Sequence, residues 1–331
     1  MNRIIAFVFI LSFFYSGHCF GNDSLSQITN PNDLNNFISQ GDKYKAENKL
    51  PEAFQSYQKA IQIEPENADA HLGIARVYAR LREYDKAINE FEISIKLNPN
   101  IEISVLSYLI VIHLVKEDLT KLKDCLKRLR EIDIYVYGVF QSQIVTARTY
   151  GIFETEDGFG IKIPQPATPS KAYYELSNNA SEILQNEGIK KVIELFREFT
   201  NRTTVSMVDK AFAYHEIGGI YLQYGNPIQG IESLEKATEI FPDFLYWKQE
   251  LATTLISTQL YTKAMTEIEK ILKISPGNKF GLYAQGIVYN EFGMYDKAIM
   301  SWDDLKSRDQ FVFALAEDSY ERAKRNLSNE N

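Results

Sequence analysis

The feature that most constrains the fold of this 331-residue chain is an internal repeat with a period of 34 residues. The five residues Tyr84–Ile88 recur unchanged as Tyr295–Ile299. Around both copies, apolar residues recur at intervals of three and four, which predicts two amphipathic helices joined by a polar turn. One such hairpin cannot bury its apolar face alone, so the pattern predicts hairpins that stack on one another.

Five units keep the same register, beginning at Leu34, Ala68, Ala211, Leu245 and Lys279. Because two helices cross closely only where the facing side chains are small, we expect the small residues to mark helix crossings. A proline that ends a unit cannot continue the second helix. The matching residues are Gly41, Tyr44, Ala53, Tyr57, Ala60 and Pro65; Ala75, Tyr78, Ala87, Phe91, Ser94 and Pro99; Gly218, Tyr221, Gly230, Leu234, Ala237 and Pro242; Ala252, Leu255, Ala264, Ile268, Ile271 and Pro276; and Gly286, Tyr289, Ala298, Trp302 and Leu305.

This pattern resembles the tetratricopeptide repeat family, whose helical hairpins carry small residues at the eighth, twentieth and twenty-seventh places and proline at the thirty-second. The resemblance implies an all-α fold, a solenoid of helical hairpins in two arrays. The N-terminal array is expected at 34–134, with units 34–67 and 68–101 and a degenerate unit 102–134. The C-terminal array is expected at 171–312, with a degenerate unit 171–206, units 211–244, 245–278 and 279–312, and a capping helix at 313–327.

The connector at 135–170 departs from the repeat. Residues Tyr135–Thr149 keep a helical pattern. The following stretch, Tyr150–Ile163, favours a β-hairpin whose turn is Glu156-Asp157-Gly158. Three prolines between 164 and 169 then predict a stiff spacer between the arrays.

The first 21 residues have the layout of a secretory signal peptide. Arg3 precedes the apolar run Ile4–Tyr15, and small residues follow as far as Gly21. We expect cleavage after Gly21, a polar lead-in at 22–33, and a periplasmic or secreted location in a bacterial envelope. An uncleaved membrane anchor is one alternative. A lipid anchor at Cys19 is another, which the large His18 before it disfavours.

Composition and motifs exclude several function classes. The 36 Lys and Arg against 44 Asp and Glu give a net charge of −8, which does not suit nucleic acid. After cleavage, the histidines are His71, His113 and His215, none in a metal-binding motif or beside a serine elbow. We therefore expect no enzyme activity, no metal and no cofactor. Cys125 would be the single cysteine, so no internal disulfide can form.

The resemblance also implies a binding groove, because in this family the first helix of each hairpin lines a concave surface. Carried over place by place, the groove residues of the C-terminal array are Phe212, His215, Gln223, Tyr246, Gln249, Thr253, Phe280, Tyr283 and Asn290. In the N-terminal array they include Arg76 and Arg80. The aromatic side chains have two open interpretations, since they either face a ligand or pack between neighbouring hairpins.

The sequence thus predicts an exported, non-catalytic scaffold or adaptor that binds protein or peptide segments of unknown identity in its grooves. The alternative is an accessory subunit or lipoprotein that tethers an envelope enzyme or a secretion complex. A hydrolase with its site in the connector is disfavoured, because that stretch lacks a nucleophile and base pair.

Overall fold

The computed structural model of the chain describes residues 34–155, 158–161 and 165–330. The predicted signal peptide with Cys19, the lead-in at 22–33, the turn residues Glu156 and Asp157, and Pro164 lie outside the described residues. Helices make up most of the described chain, as the repeat pattern predicts. Among the described helices, none has both the length and the apolar character needed to cross a membrane.

Six helices follow one another as antiparallel hairpins in the first part of the chain. Each first helix packs on the helix that follows it, and successive hairpins also touch. A short 3₁₀ turn, Pro99–Ile101, precedes the third hairpin. The helices are α1 (Leu34–Ala46), α2 (Leu50–Ile63), α3 (Ala68–Arg80), α4 (Tyr84–Leu97), α5 (Glu102–Val115) and α6 (Leu119–Ile132).

The connector begins with a seventh helix, α7 (Ile134–Tyr150), close to the predicted bounds. Two four-residue strands follow, β1 (Ile152–Thr155) and β2 (Gly158–Ile161). They pair antiparallel with Ile152 opposite Ile161 and Thr155 opposite Gly158. The residues between them are not described, so the predicted turn stays a prediction.

Nine helices form the last part of the described chain. Four antiparallel hairpins stack in order, and the final helix packs on the hairpin before it. That final helix is longer than the predicted cap and buries Val312, Phe313 and Leu315. The helices are α8 (Lys171–Asn186), α9 (Ile189–Asn201), α10 (Met207–Gln223), α11 (Pro227–Ile240), α12 (Leu245–Ser257), α13 (Tyr261–Ile274), α14 (Lys279–Glu291), α15 (Tyr295–Arg308) and α16 (Gln310–Glu330).

The described residues divide into two compact units. The N-terminal unit holds 34–141 together with the two strands. The C-terminal unit holds 165–330 together with residues 142–151, which are the second half of α7 and Gly151. The end of α7 is therefore part of the C-terminal unit.

Small residues lie at the helix crossings, as predicted. Ala53, Ala87 and Ala298 are completely buried. A side chain on Gly41 would overlap the ring of Tyr57, and one on Gly286 would overlap the ring of Trp302. The large side chain of one helix thus fills the space that the small residue of its neighbour leaves, which gives the close packing that interiors require.

The loop inside each hairpin turns through one residue in the left-handed conformation. This residue is Asn48 (φ 58°) in the first hairpin and Arg82 (φ 61°) in the second, 34 residues later. The last three repeats place Gly225, Gln259 and Gly293 there, again 34 residues apart. In each case the third amide after the helix bonds back to its last turn, as Glu83 N does to Tyr78 O at 2.9 Å.

The third hairpin has one extra residue. Its left-handed residue is Glu117 (φ 54°), 35 residues after Arg82, and α5 has 14 residues where α1 and α3 have 13. Both helices are nevertheless strongly buried, with Leu109 and Leu122 almost inaccessible. This hairpin packs through large apolar residues instead of small ones.

Candidate binding surface of the C-terminal unit

The nine predicted groove residues of the C-terminal array lie on three successive first helices. They are Phe212, His215 and Gln223 on α10, Tyr246, Gln249 and Thr253 on α12, and Phe280, Tyr283 and Asn290 on α14. The structure therefore places them on equivalent helices, but it gives them different degrees of burial.

Three of the four aromatic residues are core residues. Phe212 and Tyr283 are 8% exposed and Phe280 is 4% exposed. The ring of Phe212 packs edge-on against Trp247, with 5.3 Å between the ring centroids. Packing between hairpins, the second of the two interpretations, therefore describes these rings. Tyr246 remains half-buried at the surface.

His215 lies in a contact that joins α10 to α12. Its imidazole stacks on Trp247, with 4.9 Å between the ring centroids, and its Nε2 lies 2.6 Å from Glu250 Oε2. Burial by itself would lower the pKa of His215, but the Glu250 carboxylate outweighs this and raises it above the ordinary value. The Glu250 carboxylate therefore stabilises the protonated form of His215.

Three amides of the predicted groove carry a buried polar atom that has no hydrogen-bond partner among the described residues. These atoms are Gln223 Nε2, Gln249 Oε1 and Asn290 Oδ1. Gln249 is 3% exposed, and its other amide atom, Nε2, donates to Asn278 Oδ1 at 3.3 Å. Buried polar atoms in folded proteins are nearly always paired, so these three amides are exceptions among the described residues.

The end of α7 packs on the same helices. Tyr150 meets Tyr246 edge-on, with 5.9 Å between the ring centroids, and its hydroxyl lies next to the Gln249 amide. Burial, followed by the nearby Glu250 carboxylate, raises the pKa of Tyr150, so its phenol is neutral at physiological pH. The sequence patterns gave no sign of this contact.

Arg148, two residues earlier, is held by Asp309 at the start of α16. Its Nε lies 2.9 Å from Asp309 Oδ2, and its guanidinium stands over the ring of Phe311 at 4.7 Å. Lys279 Nζ donates both to the carbonyl oxygen of Arg148 at 2.8 Å and to Asp309 Oδ2 at 2.9 Å. We call the four residues that hold this helix end, Tyr246, Lys279, Asp309 and Phe311, the α7 seat.

The side chain of Asp309 is 1% exposed, and both of its carboxylate oxygens accept hydrogen bonds. Its Oδ1 accepts the backbone N–H groups of Phe311 and Val312 and thereby caps α16. Burial would raise its pKa, but the hydrogen bonds from Lys279, Arg148 and Val312 outweigh it and lower the pKa of Asp309. The side chain is therefore ionised under physiological conditions.

The two arginines of the N-terminal groove differ in their roles. Arg80 donates to the carbonyl oxygen of Lys45 at 2.8 Å and to Asn48 Oδ1 at 2.7 Å, so it ties the second hairpin to the loop of the first. Arg76 lies over the ring of Tyr108 at 5.3 Å, and its buried Nε has no hydrogen-bond partner among the described residues.

The acid and histidine pairs of the described segments do not assemble into a metal centre. His71 Nδ1 contacts Glu90 at 2.6 Å, as His215 contacts Glu250. Across residues 34–155, 158–161 and 165–330 there is no group of three or more His, Cys, Asp or Glu that could hold a metal ion. What remains partly exposed on this face is the ring of Tyr246, the side chains of Gln223 and Asn290, and the His215–Glu250 pair.

Several solved structures align with most of this chain at low identity. A Pseudomonas aeruginosa pilF structure is 15% identical, with 87% of this chain and 97% of that chain covered, and the TM-score is 0.30. The YrrB structure, described as a TPR protein with an unusual peptide-binding site, is 12% identical with coverages of 87% and 94% and a TM-score of 0.31. The TPR2AB domain of yeast Sti1 in a pHSP90 complex is 12% identical, with coverages of 89% and 98% and a TM-score of 0.31. Scores this low carry no conclusion about function.

Family models match the repeats themselves. A TPR repeat model matches residues 41–82, and tetratricopeptide repeat models match 68–101 and 213–244. Among curated proteins the chain has no significant match. The matched segments cover most of the first two hairpins and of the α10–α11 hairpin. These matched segments of the chain therefore carry the tetratricopeptide repeat pattern.

Proposed function

We propose that this protein is an exported, non-catalytic scaffold that binds a segment of a partner protein across the first helices of its C-terminal array. Tetratricopeptide repeats generally mediate binding to proteins or peptides, which supports this class of function. The observation that carries the proposal is the row of amide side chains Gln223, Gln249 and Asn290, which lie at equivalent faces of three successive first helices.

A primary amide can donate and accept at once, so it can pair with both the N–H and the C=O of a peptide backbone. A hydrogen bond of this kind contributes about 0.5–1.5 kcal/mol net. Tyr246 adds an aromatic surface beside the amides, and burying such a ring contributes about 1.5–3 kcal/mol. Together these groups suit a segment of a protein as the ligand, since such a segment offers backbone polar groups and side chains that can pack on Tyr246.

The test uses a purified chain of residues 22–331 and peptides selected from a random twelve-residue library. The double variant Gln223→Ala and Asn290→Ala removes two amides from the surface, and we expect selected peptides to bind it at least tenfold more weakly. Thr262→Ala with Thr266→Ala is the matched control, because those two exposed polar side chains lie on the second helix α13. Fluorescence anisotropy gives the dissociation constants. Equal affinities for the amide variant and the native chain would refute this site.

Export of the scaffold is a separate proposal, supported by the apolar run Ile4–Tyr15 and the small residues that follow it. Mass spectrometry of the protein from its native host should find Asn22 as the first residue. A diacylglyceryl group on Cys19 would instead favour the lipoprotein that tethers an envelope complex. An intact Met1 would argue against both.

A further inference from the structure

We propose that the end of α7, residues 148–150, is an internal ligand of the C-terminal array, and that a partner segment binds by replacing it in the α7 seat. The inference rests on the proposed function and specifies the chemistry of the partner. That partner is a helical segment that ends with an arginine followed two residues later by an aromatic residue.

The seat recognises three different groups of the helix end. Asp309 takes the guanidinium of Arg148 at 2.9 Å, while Phe311 lies under the same guanidinium. Lys279 donates at 2.8 Å to the carbonyl oxygen of Arg148, which is one of the last carbonyls of α7. The last four carbonyls of a helix have no partner within the helix, so Lys279 satisfies a group that any docked helix end would offer. Tyr246 supplies the aromatic contact to Tyr150.

The seat remains a satisfied structure when the helix end leaves. Asp309 still caps α16 through Oδ1 and still pairs with Lys279 at 2.9 Å. No buried carboxylate is therefore stranded by the loss of Arg148, and stranding a charge is what makes most buried ion pairs irreplaceable.

Tethering explains how a modest set of contacts keeps the seat filled. A segment attached to the array has an effective concentration in the millimolar range, so it outcompetes a free segment of similar affinity. A partner must therefore bind the open seat more tightly than the internal segment does. Removing the side chains of Arg148 and Tyr150 should therefore raise the apparent affinity of an external segment, by the factor with which the internal segment had reduced it.

The test uses a fluorescein-labelled peptide of residues 138–151, the end of α7 in trans, and the full chain of residues 22–331. The variant Arg148→Ala with Tyr150→Ala empties the seat, and we expect it to bind the peptide at least tenfold more tightly than the native chain does. A peptide with the same two alanines should not bind. Thr149→Ala is the matched control and should behave as the native chain, because the hydroxyl of Thr149 bonds within α7, to Val145 O at 2.7 Å.

A second variant keeps the test decisive if the double alanine variant does not fold. Arg148→Gln retains the aliphatic stem and Tyr150 but removes the charge, and we expect it to bind the native peptide at least threefold more tightly than the native chain. If the folded variants, with melting temperatures near that of the native chain, bind the peptide no more tightly, the internal-ligand proposal is wrong. Library-selected peptides that still bind would then leave the proposed function standing. Failure of both peptide classes to bind any folded chain would overturn both proposals.

Discussion

The loop residue at position 293 is a glycine with φ 72°, a conformation that costs an alanine about 1–2 kcal/mol. A Cβ at this position would touch no other atom within 4 Å. We therefore expect Gly293→Ala to destabilise the protein by about 1 kcal/mol through backbone strain alone. Urea unfolding followed by circular dichroism measures the change.

Gly219 is the matched control for this substitution. It lies inside α10 and is exposed, and a Cβ there also meets no atom within 4 Å. Because alanine favours a helix over glycine by about 1 kcal/mol, Gly219→Ala should stabilise the protein. A change of the same sign for both variants would contradict the left-handed assignment at Gly293.

Cys125 should react slowly while the protein is folded. The thiol is 4% exposed, and burial raises its pKa to about 12. Since the thiolate is the reactive form, alkylation by iodoacetamide at pH 8 should be at least a hundredfold slower than in urea-unfolded protein. Rapid labelling of the native protein, read by mass spectrometry, would show that the α6 helix opens readily.

At the residue scale, the sequence predicts the packing residues better than the binding residues. Ala53 and Ala87 could be assigned to helix crossings because two helices approach closely only where the facing side chains are small. The rings of Phe280 and Tyr283 could not be assigned in this way. The position of a residue in the repeat shows which helix carries it, but it does not show how far neighbouring helices bury its side chain. Arg148 and Asp309 are 161 residues apart, and no local pattern relates them.

At the scale of single elements, the start of α16 gives the sharpest prediction. Asp309→Asn keeps an oxygen for the cap but removes the charge that Arg148 and Lys279 share. We expect a loss of about 1–3 kcal/mol at pH 7, the range for a hydrogen bond between charged groups. Thermal unfolding of the native protein and the variant measures the difference.

The pH dependence of that loss follows from the lowered pKa of Asp309. A carboxylate whose pKa is lower when folded stabilises the protein above its unfolded pKa of about 3.9, and the stabilisation disappears as the pH falls through the folded pKa. The difference in stability between the two proteins should therefore begin to shrink as the pH falls below about 4 and should disappear below the folded pKa of Asp309. Asp304→Asn is the control, because the exposed Asp304–Arg308 pair should contribute less than about 1 kcal/mol.

Apolar periodicity predicts helices even in the unit that lacks the small residues of the repeat. The weak hairpin in the degenerate unit 171–206 lies at Lys171–Asn186 and Ile189–Asn201, because its apolar periodicity survives where the small residues do not. The extra residue of the third hairpin was not predicted from the sequence. A fixed period of 34 loses its phase after Ile101, which is also where a family match ends.

For the molecule as a whole, each stacked hairpin contacts only its neighbours. A destabilising substitution should therefore loosen the adjacent helices and leave distant ones unchanged. Ala298 is completely buried at the crossing of α14 and α15, so Ala298→Leu should overpack it and cost about 1–3 kcal/mol. Amide hydrogen exchange should rise in α14, α15 and α16 and stay unchanged in α8 and α9. Ala172→Leu, on an exposed face of α8, is the control and should change neither stability nor exchange. Uniformly raised exchange throughout the C-terminal unit would contradict the repeat model.

The left-handed loop residues are suitable positions for fluorescent labels that measure distances by energy transfer. Arg82 and Gln259 are exposed, and each is the reversal point of a tight loop, outside the helices that pack. Cysteine at both positions would accept a donor and an acceptor dye, while Cys125 is too buried to compete for the reagent. One pair of labels would then serve as a molecular ruler between the N-terminal and C-terminal units in solution, with and without a bound peptide.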